Sequence, residues 1–273
     1  MRATIIFHLT NWRNMDSSRK TETLKALEGY NGHAFTFKTM ETFHSDQNTF
    51  TTGLFELTGN EFVFVPGATA TLGWNQVEEQ DELILSAIQK ELEIAGVSLS
   101  AQAYLQSVFS PLREVEIAPM LVERNVQRID PESDHLVNYF EIKTDLERSG
   151  FSLPTEEEWE YLCGGGTRMI FSDHVDRKLI EDICKEKRYY ADLEKPNRFG
   201  LYIAYEPYIF ELVDSPVISK GGDGGTAAHG GYHILGVLPI SPHYRDEVIQ
   251  ELMSSDGDFD GDVHARRIVR ILQ

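Results

Sequence analysis

The sequence predicts an α+β fold of short strands, irregular loops and scattered helices. Three observations carry that expectation. Alternating apolar stretches such as FVFVPGATATLGW, residues 62–74, are bent by turn residues after a few positions. Helical patterns occur without the regular strand–helix alternation of a doubly wound parallel sheet. SLPTEEEWEYLCGGG, residues 152–166, is a short helix whose start and stop are both written in the chain.

In that last stretch Thr155 is a good N-cap, and Glu158 three residues later completes a capping box. Glu156, Glu157 and Glu158 fall in the first turn, where the positive end of the helix dipole favours carboxylates. Trp159, Leu162 and Cys163 share a face to bury. Gly164, Gly165 and Gly166 end the helix, because glycine enters left-handed conformations at low cost.

The remaining elements follow in order. Residues 3–9 read as a strand, 17–27 as an exposed helix, and 34–38 as further strand. After the 62–74 stretch, residues 77–94 form an acidic amphipathic helix with Val77, Ile84, Ile88 and Leu92 close to helical spacing. A second helix covers 100–108, and residues 113–124 make a strand pair interrupted by Pro119. Further helices are expected at 175–187 and 244–253, with RRIVRIL as the terminal strand. No fixed-period repeat occurs.

Acidic residues outnumber basic ones 44 to 25 in 273 residues, a formal net charge of -19. Without a basic patch, that balance argues against nucleic acid or an anionic membrane as the main partner. The longest apolar runs are four or five residues, too short to span a bilayer. The stretch at the N-terminus is broken by Asn11, Trp12 and Arg13, which disfavours a secretory signal. Two cysteines, Cys163 and Cys184, make neither a disulfide framework nor a zinc quartet, so a reducing cytoplasm is expected.

The order of several motifs points to a family. SLPTEEEWEYLCGGGTRMIF resembles the R-L-P-T-E-A-E-W-E-Y-A-x-R-G-G signature of the formylglycine-generating enzyme (sulfatase-modifying factor) family. FVFVPGATATLGW is similar to its opening F-V-x-V-P-G-G-x-F-x-M-G, and SPLREVEIAPMLVER to S-P-x-x-x-V-x-L-x-P-F-x-I-G-R. NRFGLYIAYEPYIFELVDS resembles N-x-F-G-L-Y-D-M-x-G-N-V-W-E-W-x-x-D. SKGGDGG stands where R-G-G-S-W belongs, and HARRIVRIL resembles the closing G-F-R-x-V. The resemblance covers residues 57–273, with an extra helical insertion after Trp74, and leaves 1–56 as an N-terminal extension or accessory segment. It implies a C-type-lectin-like formylglycine-generating-enzyme fold with short twisted antiparallel sheets, in which the Trp159 helix is an anchor and the following loop frames the ligand face.

The family's oxidases bind copper through two cysteines just after R-G-G-S-W, soft thiolates suited to Cu(I). No cysteine follows Cys184 here, so formylglycine synthesis by that route is not expected. The calcium-supporting G-N-V-W-E-W motif is eroded as well, with Glu206, Pro207 and Tyr208 in its first positions and only Glu211 and Asp214 kept.

Two constellations stand in the gap. In AAHGGYHILG, His229 and His233 lie four apart at the family's active-site position, and His243 follows; the three are candidate metal ligands, for copper or iron. Spacing of four aligns two ligands only on a helix, and the neighbouring glycines oppose one. Asp223, Gly224, Gly225 and Tyr232 are candidate ligand contacts, a carboxylate and an anion nest among them. In SSDGDFDGDVHARR, Asp256, Asp258 and Asp260 match the front half of a calcium loop, but Arg267 stands where the bidentate Glu belongs. The run of rings Tyr189, Tyr190, Tyr202, Tyr205, Tyr208 and Phe210 suits core packing or a ligand cleft. The resulting expectation is a non-catalytic module binding a protein or small ligand. The alternative is a metal-dependent oxidoreductase that uses loop histidines.

Overall fold

The computed structural model describes residues 6–45, 48–75, 81–129, 137–185, 193–246, 258–259 and 263–271. Two short helices open it, α1 (Leu9–Asn14) and α2 (Ser17–Lys25), the second capped by Asp16, which accepts the Arg19 N–H at 2.9 Å. The strand expected over 3–9 is corrected in its described part: His8 makes one parallel bridge to Gly67 and the chain turns helical at Leu9, while residues 3–5 lie outside the described residues. The helix carries Trp12 into the core, where its ring meets Phe64 at 4.8 Å and its Nε1 donates to the Thr51 carbonyl at 3.0 Å. Burial of that ring outweighs the strand-like pattern at Leu9.

Strands β1 (Thr36–Ser45), β2 (Asn48–Leu57) and β3 (Asn60–Val65) form a meander. β4 (Ala68–Leu72) then leads into the inserted helices α3 (Glu82–Ile94) and α4 (Ala101–Val108). β5 (Arg113–Ile117) returns to pair with β4, while β6 (Met120–Glu123) joins β3. Pro119 separates these two strands, so the chain crosses between sheets where a backbone donor is lost.

Short elements follow: β7 (Gln127–Arg128), β8 (Val137–Asn138), α5 (Tyr139–Arg148), α6 (Glu156–Gly164) and α7 (Arg177–Cys184). The last segment holds β9 (Phe210–Leu212), β10 (Ser219–Lys220), α8 (Thr226–His229), α9 (Ile234–Val237), β11 (Asp258–Phe259), β12 (Val263–Ala265) and β13 (Ile268–Arg270). The main sheet runs β1-β2-β3-β6-β13, and a smaller one runs β10-β9-β12-β7. Among the described strands, pairings are antiparallel except β9 with β12. The class is α+β with small sheets, as expected.

The boundary expected between residues 56 and 57 falls inside the main sheet, two residues before the β2–β3 turn. Core side chains from both sides of it, among them Trp12, Leu24, Phe55, Phe62, Trp159 and Ile268, belong to one buried cluster. The helix expected at 244–253 is corrected at its start, because Tyr244 bridges Phe109 and Asp246 bridges Ser219 in extended backbone; its remainder lies outside the described residues. α5 was not foreseen; Asn138 caps it through the Phe140 and Glu141 N–H groups.

Arg266 ties the closing strands to the middle of the chain. It is fully buried, with Nε 2.8 Å from Glu211 Oε1, and it donates to the carbonyls of Glu123, Arg124 and Tyr202. Such a pair is stable only when every donor and acceptor is used, and removing one partner strands the other. Arg266→Met is expected to lower the unfolding free energy by about 3–5 kcal/mol in urea titrations. A loss below about 1 kcal/mol would mean that Glu211 is solvated or re-paired at little cost.

Candidate functional site

The acidic helix α6 organises the site. Its capping box forms: Thr155 Oγ1 accepts the Glu158 N–H at 3.2 Å, and Glu158 Oε2 accepts the Thr155 N–H at 2.8 Å. The glutamates also reach well beyond the first turn. Glu156 pairs with Arg245 at 2.8 Å, Glu157 with Arg113 at 3.4 Å, and Glu158 with Arg270 at 2.5 Å. Glu160, almost fully buried, accepts from the Gly73 N–H, from Ser110 Oγ at 2.7 Å and from Arg113 Nη2 at 3.2 Å.

His243 completes that set, with Nδ1 3.1 Å from Glu160 and Nε2 3.0 Å from the Met169 carbonyl. Both ring nitrogens face oxygen acceptors, an arrangement that only the doubly protonated ring satisfies in full. Burial alone would push the Glu160 carboxyl up, but the His243 hydrogen bond and the charges of Lys220, His243 and Arg113 together hold it at about 2. Lys220 is fully buried 5.3 Å from the Trp159 ring, and burial lowers its pKa against the opposing pull of Glu160 and Glu156.

At its far end α6 stops on Gly165, whose φ of 60° a side chain would strain. A Cβ there would also lie 2.8 Å from Arg198 Cδ and 2.9 Å from its Nη1, so the arginine crosses the bare backbone. Asn197 fixes this crossing. Its Nδ2 donates to the Leu162 carbonyl at 2.6 Å and the Cys163 carbonyl at 3.2 Å, while Oδ1 accepts the Phe199 and Leu201 N–H groups.

The loop 164–167 and Arg198 form one lip of a cavity of ≈ 340 Å³. Ile84, Met169, Phe171, Val175 and Ile180 supply apolar surface, and Asp81, Asp173 and Arg177 add charge. Ser172 also lines it, its Oγ 2.7 Å from His174 Nδ1. Burial pushes His174 down to about 4, so the ring is neutral near pH 7. This is the size and mixture of surfaces that small-molecule sites show.

The histidine candidates are dispersed. His229 ends α8 with its ring 5.1 Å from that of Tyr208, and His233 precedes α9, its N–H donated to Glu91 at 2.9 Å. His243 sits in the Glu160 network. Among the described residues no group of three or more His, Cys, Asp or Glu side chains is placed to hold a metal ion. Asp223 accepts the Thr226 N–H at 3.1 Å and the Ala227 N–H at 3.3 Å; burial raises its pKa against these bonds. Gly224 and Gly225 lie against the rings of Phe210 and Tyr208, where a Cβ on Gly225 would come within 2.0 Å of Tyr208 Cε1. Tyr232 and His233 line a second cavity, ≈ 250 Å³, with Lys90, Glu91 and Cys184. Asp256 and Asp260 lie outside the described residues, as do Tyr189 and Tyr190; the Asp258 backbone pairs with Asn138 in the β11–β8 ribbon.

Arg198 and Asp173 were not singled out from the sequence. Arg198 occupies the variable position of N-x-F-G-L-Y, and α3 and α7 lie far from it along the chain. The nearest signal was the Gly164–Gly166 run, legible by itself as a helix stop and, through the resemblance, as a loop expected to frame a ligand face. In comparisons with known proteins, no family model matches the chain and no curated protein is significantly similar to it. No described helix is long and apolar enough to cross a membrane.

Burial pushes the Cys163 thiol up to about 12 and that of the half-buried Cys184 up to about 11. Thiolates, not thiols, react. With Ellman's reagent at pH 8, Cys163 is expected to label only after unfolding, and Cys184 roughly 100-fold more slowly than a free thiol. Rapid labelling of Cys163 in the folded protein would contradict its place in the core.

Proposed function

We propose that the protein is a non-catalytic binding module on a formylglycine-generating-enzyme-like scaffold, and that a small ligand occupies the cleft beside Gly164–Thr167. The observation that carries this reading is the cleft itself, lined by both apolar and charged side chains. Its lip is the loop that, on the family resemblance, frames the ligand face. Two motifs of that resemblance, the one holding Glu211 and the one holding Arg266, close on each other in a buried ion pair, which supports the scaffold assignment.

The candidate thiol and histidines named from the sequence are committed elsewhere. Cys163 is a buried thiol, His243 spends both nitrogens on internal acceptors, and His229 packs against Tyr208.

Saturation-transfer NMR with a fragment mixture tests the proposal. Binders are expected, and Val175→Trp, which fills the cleft, is expected to abolish their signals while the protein stays folded. Fragment binding that survives Val175→Trp would place the ligand elsewhere. About one copper or iron per chain by elemental mass spectrometry, lost in the His229→Ala, His233→Ala double variant, would overturn the non-catalytic assignment.

A further inference from the structure

We propose that Arg198 is the anion receptor of this cleft, and that the ligand is a small carboxylate carried on an apolar body. This inference rests on the binding-module reading and adds the chemical class of the ligand.

A guanidinium has five N–H donors in a fixed fork, and burying them without acceptors is costly. Three buried or part-buried arginines meet that requirement. Arg266 spends its donors on Glu211 and three carbonyls, Arg267 on both oxygens of Glu123, and Arg270 on Glu158 and the Leu153 carbonyl. Arg198 departs from it. Its side chain is only 12% exposed, yet among the described residues its nearest acidic partner is Asp173, 3.9 Å from Nε and beyond hydrogen-bond reach. No described oxygen accepts a hydrogen bond from it.

Arg198 is also held in this position. The Asn197 bonds to Leu162, Cys163, Phe199 and Leu201 fix the backbone on either side, the guanidinium lies across Gly165, and its carbon is 5.9 Å from the Phe199 ring. A fork-shaped donor, fixed at a cavity lip with Asp173 near but no described hydrogen-bond acceptor, is preorganised for a planar two-oxygen anion.

The rest of the cleft narrows the class. Asp81 and Asp173 line the same space, so a phosphate dianion meets more repulsion than a carboxylate monoanion does. Arg177, on the rim, is already 3.6 Å from Glu181 and offsets less of that negative charge. Ile84, Phe171, Val175 and Ile180 offer apolar contact for the ligand's body.

The test is isothermal titration of the full chain with hexanoate, octanoate and phenylpropionate, each beside its matched primary alcohol, and with hexyl phosphate. The carboxylates are expected to bind at least about tenfold more tightly than the alcohols, because only they use the fork. Arg198→Met is expected to erase that advantage without lowering Tm, since a receptor residue left unsatisfied contributes little to stability. Arg198→Lys is expected to retain part of it, keeping the charge but not the fork. Equal binding of alcohols and carboxylates, blocked by Val175→Trp, would sink the anion receptor and leave the binding module standing. Tighter binding of hexyl phosphate than of hexanoate would overturn the carboxylate class. A fall in Tm for Arg198→Met would make Arg198 a structural residue. Silence of every probe, with the fragment mixture silent too, would overturn both readings.

Discussion

A buried carboxylate holds the centre of this molecule. Glu160 gathers the Gly73 N–H, the Ser110 hydroxyl, the Arg113 guanidinium and the His243 ring, groups that come from the end of β4, the return from the inserted helices, the start of β5 and the loop after α9. Ionised Glu160 gives them a common anchor, and the cost of removing its charge from water is offset only because every surrounding donor converges on it.

The same helix distributes further anchors. Glu156 holds Arg245, Glu157 holds Arg113, and Glu158 holds Arg270 of the last strand while closing its own capping box. One short helix therefore fixes the loops on several sides, and its glycine end forms the lip of the cleft. Position passes from Glu160 along α6 to Gly165, and through Asn197 to Arg198. The proposed receptor is thus positioned by hydrogen bonds to a buried helix, as a preorganised site requires.

Local rules in the sequence were legible where one mechanism acts alone. The capping box at Thr155, the glycine stop at Gly165, the crossover at Pro119 and the burial of Trp159 and Cys163 all appear as their chemistry dictates. Where tertiary contacts compete, local pattern misleads. Residues 3–9 look like a strand, but Trp12 is buried by helical geometry, and Tyr244 is extended because Phe109 pairs with it. His229, His233 and His243 are close in sequence, yet α8, α9 and the Glu160 network draw them to different surroundings. Arg198 carries no local signal at all, because what singles it out is a missing acceptor, and that depends on the whole neighbourhood. The glutamates of α6 look sufficient as dipole partners, so their long-range ion pairs add nothing visible to the local pattern.

The most direct measurement is the stability of the wild-type chain and of Glu160→Gln as functions of pH. Glu160 is held at about 2 in the folded protein against an ordinary 4.5, so its contribution is fully present above 4.5 and is lost as pH falls toward 2. At pH 7 the variant is expected to be less stable by about 3 kcal/mol, the free energy that such a depression represents. The two curves should then converge between pH 4.5 and pH 2 as the wild-type carboxylate takes up its proton. Parallel curves through that window, or equal stability at pH 7, would contradict an ionised Glu160 at the centre of the fold.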